Sequence, residues 1–188
     1  MDHEIRAVRA DEWRAVKELR LAALRDPVAA LAFLETYEQA AARPDSFWQD
    51  RASGASHGTS ARQFVAVGRD GVWAGTVVVL VEEAGAEDFF GQVVEQRQAQ
   101  LVGVFVRPED RGRGLTEELF SAAVDWALGQ DGVTRVRLHV HQDNARAERF
   151  YRRFGFVRTG GAVRNPSDPC KVDHEMVFGA DAAGAVQA

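Results

Sequence analysis

The stretch Val104-Phe105-Val106-Arg107-Pro108-Glu109-Asp110-Arg111-Gly112-Arg113-Gly114-Leu115 runs from a buried-strand pattern through a glycine loop into a helical pattern. The first amides of a helix have no partner within it and carry the positive end of its dipole, so they attract phosphate. Gly112 and Gly114 carry no Cβ and let a pyrophosphate approach the backbone, while Arg111 and Arg113 add positive charge beside it. Two other phosphate loops do not fit. A P-loop ends in Gly-Lys-Ser/Thr, and no such lysine is present. The dinucleotide fingerprint needs a third glycine, and Thr116-Glu117 follows instead. Two spaced glycines also serve an ordinary strand-to-helix turn, so this loop alone leaves both readings open.

A second stretch downstream separates them. Leu138-x-Val140 is followed by Asn144, Ala147, Phe150-Tyr151 and Gly155-Phe156. Together the two stretches resemble the GNAT N-acetyltransferase superfamily, whose phosphate motif reads Arg/Gln-x-x-Gly-x-Gly/Ala. The segment from Arg111 to Thr116 matches it except at the last position. There Thr116 replaces a glycine or alanine; its amide stays available, but its β-branched side chain crowds the phosphate. The second pattern, LxV followed by NxxAxxFYxxxGF, is met throughout. The correspondence covers residues 101–156, and the order of strands and helices extends it to nearly the whole chain.

The resemblance implies an α/β (α+β mixed) fold. Its central, mostly antiparallel twisted sheet carries two splayed parallel strands and is flanked by helices. It implies one acetyltransferase domain over residues 1–179, with 180–188 as a disordered tail. By position, the splayed strands are residues 101–106 and 136–141, with acetyl-CoA between them. The backbone at Val104, Phe105 and Val106 would pair with the pantetheine arm as an added strand does. Arg111 and the amides of Gly112, Arg113, Gly114, Leu115 and Thr116 would hold the pyrophosphate. Asn144 would hydrogen-bond the cofactor arm, and Arg149 or Arg153 would meet the adenosine phosphate.

The implied reaction is direct acyl transfer to a primary amine of a small molecule or protein. A strand amide near Val104 would stabilise the developing oxyanion. Tyr151, at the family's usual acid position, would give its proton to the departing thiolate; a phenol with a pKa near 10 is still protonated at neutral pH. The competing reading is that Tyr151 only packs, since Ala147, Phe150, Tyr151 and Phe154 form a helical stripe. Glu38, Glu82, Glu83 and His139 are the candidates for a general base, and none is singled out. Phe33, Glu35, Tyr37, Glu38 and Trp48 in the helical region, with residues 165–169, would shape an acceptor pocket. Acidic and aromatic residues there suit a cationic amine or an ordinary helix surface equally. A non-catalytic acetyl-CoA sensor is the alternative, against which Tyr151 and Asn144 both argue.

Working outward, residues 5–8 alternate as a first strand, and Trp13, Val16, Leu19 and Ala23 recur at helical spacing. A second helix is expected from Val28 to Ala42, a short one around Phe47-Trp48, and a small-residue loop from Ser53 to Ser60. Residues 64–67 and 73–81 flank Gly68-Arg69-Asp70-Gly71 as a hairpin. Residues 82–98 read as an inserted acidic and aromatic loop. Strands at 101–106 and 133–141, a helix from Leu115 to Gly129 and one from Ala145 to Phe154 capped by Gly155 follow. Strands at 156–159 and 172–178 end the chain's regular structure.

Composition bounds the rest. The 188 residues are 46% hydrophobic and 27% charged, enough to bury a core, and no apolar run approaches the roughly 20 residues of a bilayer span. With 23 basic and 28 acidic residues the net charge is −5, which argues against a nucleic-acid partner. Residues 144–158 nevertheless hold five arginines and one acid, a face suited to a small phosphorylated ligand. The single Cys170 excludes an internal disulfide, and no His, Cys and carboxylate cluster has metal-ligand spacing. The expectations are thus a cytoplasmic location, no membrane partner and no metal. A homodimer is compatible with the pattern.

Overall fold

The computed structural model describes residues 3–179; the expected tail, 180–188, lies outside them. Strand β1 (His3–Ala7) pairs antiparallel with β2 (Ala61–Gly68), and β2 with β3 (Trp73–Glu82). Between β1 and β2 come three helices: α1 (Trp13–Leu24), α2 (Tyr37–Ala41) and α3 (Asp45–His57). Strand β4 (Gln98–Val106) leads through a short 3-10 turn at Pro108–Asp110 into α4 (Leu115–Leu128). Strand β5 (Arg135–His141), α5 (Ala145–Phe154), β6 (Val157–Asn165) and β7 (Asp168–Gly179) complete the chain.

The described residues gather into two compact units, 3–80 with 102–126 and 81–101 with 127–179. The first holds β1, β2, most of β3, the end of β4 and helices α1–α3. Its interior is built from Val16, Leu19 and Ala23 of α1, Trp48, Ala52 and Ala55 of α3, and Val65, Trp73 and Phe105 from the strands. In the second, the start of β4 runs parallel to β5, with Ala99 opposite Val136 and Gln100 opposite Arg137. There β5 pairs antiparallel with β7, and β7 with β6. Strand order is β1-β2-β3-β4-β5-β7-β6, a mixed sheet with β4 and β5 its parallel pair.

Two local expectations change. The segment from Val28 to Ala42 is not one helix but a 3-10 turn at Ala29–Leu31 followed by α2. Thr36 and Gln39 form a reciprocal capping box, and its hydrogen bonds start a new helix at Tyr37. Conversely, α3 continues through the expected loop as far as His57. Ala52, Ala55 and Ser56 are buried, so small residues serve close helix packing here rather than a loop.

Candidate functional site

The end of β4 carries the first part of the site. Gln98 to Leu101 are buried, but Val102, Gly103 and Val104 are half-exposed in the middle of an apolar strand before Phe105 and Val106 are buried again. Gly103 has φ +63°, a left-handed turn of the backbone that breaks the strand's regular pleat. Beyond the strand, the Arg107 amide donates to Ala74 O at 2.8 Å and Arg107 Nε to Trp73 O at 2.7 Å, anchoring the loop's start on β3.

The loop has the conformation its glycines permit. Gly112 and Gly114 have φ of +77° and +82°, and a Cβ at Gly112 would meet nothing within 4 Å, so space is open in front of the backbone. The Gly114 carbonyl accepts from the Glu117 and Glu118 amides, which places the Leu115 and Thr116 amides before the first intrahelical hydrogen bond. Arg113 is well exposed and meets Asp110 only at 3.5 Å. Arg111 is placed differently: its Nε donates to Val106 O at 2.9 Å and its Nη2 pairs with Asp26. Its guanidinium therefore braces the loop against β4 and the end of α1. These residues fit a pyrophosphate: exposed left-handed glycines, first-turn amides ahead of the helix's own hydrogen bonds and one well-exposed arginine.

In the second unit, Asn144 Oδ1 accepts from the Ala147 amide at 3.2 Å and caps α5. Gly155, at φ +117°, closes the helix as expected. Tyr151 is 9% exposed, beside Phe150 and Phe156, with ring centroids at 5.8 and 6.2 Å. Burial pushes its phenol up to about 12, so it holds its proton more firmly than the free side chain does. The basic stretch divides in two. Glu148 takes up Arg158, at 2.8 and 2.9 Å, and Arg152, at 3.4 Å. Arg146, Arg149 and Arg153 are exposed at three- and four-residue spacing and share one face of α5.

The candidate bases fare unequally. Glu82 is held by Arg137 at 2.9 and 3.0 Å and by Gln98 at 2.9 Å. Glu83 pairs with Arg97 at 3.1 Å, and Glu38 lies exposed on α2. His139 packs on Phe90, with ring centroids 4.7 Å apart, and its Nδ1 is buried without a hydrogen-bond partner. Burial and nearby Arg137 depress its pKa to about 4, so the ring is neutral. Sequence reasoning did not see how Arg137 organises this unit: it also binds Asp88 at 2.7 Å, tying the inserted segment to β5. Its place in an alternating apolar strand was the available signal.

The acceptor-side aromatics are not free to stack on a cationic amine. Arg20 lies over Phe33 at 4.5 Å and Arg25 over Tyr37 at 4.3 Å, while Trp48 is fully buried in the interior of the first unit. Glu35 is bound by Arg20 at 3.1 Å and by Arg43 at 3.6 Å.

The family model for the acetyltransferase (GNAT) family matches residues 13–156, crossing both units. The chain belongs to this family. A curated relative from Bacillus subtilis, named as a ribosomal protein bS18 alanine N-acetyltransferase, is 30% identical over 88 residues. That match covers 47% of this chain and spans 57% of the relative's length. Among solved structures, Arabidopsis thaliana NAA60 in complex with a bisubstrate analogue superimposes with a TM-score of 0.67 at 17% identity, over 95% of this chain and 99% of that one. A spermidine N-acetyltransferase chimera from Vibrio cholerae gives 0.66 at 17% identity over the full length of both. At this identity the structural matches establish the fold, which is that of GNAT proteins. Among the described residues no helix is long and apolar enough to cross a membrane.

Proposed function

We propose that this GNAT protein transfers the acetyl group of acetyl-CoA to a primary amine of a small molecule by direct attack within a ternary complex. The observation that carries the reading is the β4–loop–α4 unit. A half-exposed strand leads into left-handed glycines and open helix amides, at the positions where the family motif puts the pantetheine and pyrophosphate. The single family match across both units supports residues 1–179 acting as one domain. The curated relative's printed activity makes a protein amine the second acceptor class, and a cytoplasmic location is part of this reading. A homodimer is compatible with this reading.

Acetyl-CoA supplies the thioester whose carbonyl carbon the amine attacks. On this chain, the backbone of Val104, Phe105 and Val106 would hydrogen-bond the pantetheine arm, the Val104 amide donating to the carbonyl oxygen as charge develops. Gly112, Arg113, Gly114, Leu115 and Thr116 would bind the pyrophosphate, with Arg111 bracing the loop and adding charge behind it. Asn144 would hydrogen-bond the arm from its place at the α5 cap. The exposed face of Arg149 and Arg153 would meet the adenosine phosphate. Tyr151 Oη would donate its proton to the departing sulfur and regain one from water, which takes up the proton lost by the attacking nitrogen; its elevated pKa keeps the phenol protonated across the neutral range.

Calorimetric titration with acetyl-CoA, with NAD and ATP as controls, tests the binding half. Selective micromolar binding supports the assignment, and equal or absent binding removes it. Thiol release in the presence of an amine panel then separates an enzyme from an acetyl-CoA sensor.

A further inference from the structure

The first unit contains a cleft with an excess of positive charge. Arg20 of α1 and Arg51 of α3 line it, with Gln63 of β2, Thr76 of β3 and Gly103 of β4 at its floor. Both arginines are half-buried, and a charge partly withdrawn from water is usually compensated. Among the described residues Glu35 is the carboxylate that acts on both, and it already serves Arg20 and Arg43. Arg51 has no hydrogen bond or ion pair among the described residues. Burial and the nearby Arg20 both disfavour its charged form, and only Glu35 opposes them. Arg20 and Arg51 against Glu35 leave one positive charge in excess, and Arg43 draws on the same carboxylate.

A second orphan lies in the same cleft. Gln63 is 4% exposed; its Nε2 donates to Thr76 Oγ1 at 3.0 Å, and its Oε1 is buried with no hydrogen-bond partner. A buried amide with one end unsatisfied costs free energy that a ligand group would recover. Whichever way the amide is turned, one of its polar atoms is left for that group. The cleft reaches Gly103, the residue before the Val104 amide assigned to the reacting carbonyl. The enclosed space is about 20 Å³, room for one small polar group such as a carboxylate, so the rest of a ligand would lie in the cleft's open mouth.

We infer that this cleft binds an acceptor carrying a carboxylate as well as the reacting amine, the carboxylate held by Arg51 and Arg20. The inference rests on the acetyl-transfer reading and narrows its substrate class to amino-acid-like amines. A guanidinium takes a carboxylate in a bidentate fork, and the desolvated position strengthens that bond. The same excess charge repels a polycation, so a polyamine is a poor occupant despite the fold shared with spermidine N-acetyltransferases. The arginines over Phe33 and Tyr37 point the same way, since each already covers one face of its ring.

The test uses the full-length protein and matched pairs that differ only in the carboxylate: phenylalanine with phenethylamine, lysine with cadaverine, methionine with 3-(methylthio)propylamine. Two readouts are taken. One is thiol release with acetyl-CoA; the other is the shift in Tm without acetyl-CoA, which needs no turnover. The expected result is a preference on the order of 10- to 100-fold in kcat/KM for the carboxylate-bearing member of at least one pair, and a Tm rise with that member alone. Arg51→Gln should raise KM for that acceptor by a similar factor with kcat nearly kept, and Arg51→Lys should recover part of it. A preference for the decarboxylated members, or no discrimination in either readout, overturns the inference. Thiol release that persists without discrimination leaves acetyl transfer standing. A carboxylate-dependent Tm shift without acetyl-CoA binding would instead sink the acetyl-transfer reading and keep the cleft.

Discussion

Replacing Arg137 by methionine should unbalance the second unit more than any other single change to its charges. The guanidinium is 5% exposed and bonds Glu82 at 2.9 and 3.0 Å, Asp88 at 2.7 Å and Glu175 at 3.2 Å. The three carboxylate side chains are only 11%, 1% and 15% exposed. Removing one partner of a buried ion pair costs about 3–5 kcal/mol, because an uncompensated charge is left behind. Here three carboxylates would remain, with Arg135 close to Glu175 alone at 2.7 Å, so the upper end of that range applies. For a chain of this size each kcal/mol moves Tm by about 2–4 °C, which makes the expected fall on the order of 10–20 °C at pH 7.5.

The pH dependence adds a sign. In the native protein the Asp88 and Glu175 carboxyls lie below their ordinary values, held there by hydrogen bonds and by Arg137, with Arg135 also acting on Glu175. The unfolded chain then binds more protons, so this contribution is present above about pH 4.5 and is lost as pH falls below it. Without Arg137 the same carboxyls, buried and facing one another, rise above their ordinary values, and acid stabilises the variant. The difference between the two proteins should therefore be greatest near pH 7.5 and shrink towards pH 4.5. Urea unfolding at several pH values measures it, and Asp88→Asn in the variant background should restore part of the loss. A loss below about 1 kcal/mol at pH 7.5, or one that grows on acidification, would refute this account of the cluster.

His139 provides a further test of the same unit. Its folded pKa of about 4 lies below the unfolded value, so stability present above pH 6.5 should fall as pH drops towards 4, by on the order of 2–3 kcal/mol. His139→Phe should flatten the unfolding free energy over that window. Tyr151→Phe should lower kcat by roughly 10²-fold or more while the acetyl-CoA Kd measured by calorimetry stays within a few-fold; unchanged turnover would remove the tyrosine from the mechanism. Gly114→Ala forces a side chain to φ +82°, a cost of about 1–2 kcal/mol at the loop. It should weaken acetyl-CoA binding roughly tenfold while Tm moves by a few degrees at most. Thr116→Ala should tighten that binding a few-fold, and looser binding would show that the threonine methyl does not crowd the phosphate.

The site's strand, loop and helix were legible because local chemistry makes them. Alternating and continuous apolar runs specify β4, glycines specify the left-handed loop, and Asn144 and Gly155 mark the two ends of α5. The helical region before β2 was read less well. In residues 28–42 a capping box outweighed a continuous apolar spacing, and in residues 53–57 small residues signalled packing rather than a turn. The first is a local signal, Thr36 three residues before Gln39, that the reading of apolar spacing passed over; the second is tertiary, since propensity is weak there and packing of α3 against α1 and β2 decides the outcome.

What the sequence determined by itself was the family, the order of strands and helices, and the residues of the phosphate loop and α5, all set by neighbours within a few positions. What only the tertiary structure decided was the pairing of charges far apart in the chain. Arg111 meets Asp26 across 85 residues, Arg137 meets Glu82 across 55, and Arg20 meets Glu35 across 15. Charges carry no periodicity that names their partner, so composition shows a net −5 and nothing of which arginine is satisfied. Folding brings Glu35 to Arg20 and Arg43 and leaves Arg51 beside them without a carboxylate of its own. That imbalance arises from distance and burial, and it is what the proposed acceptor would complete.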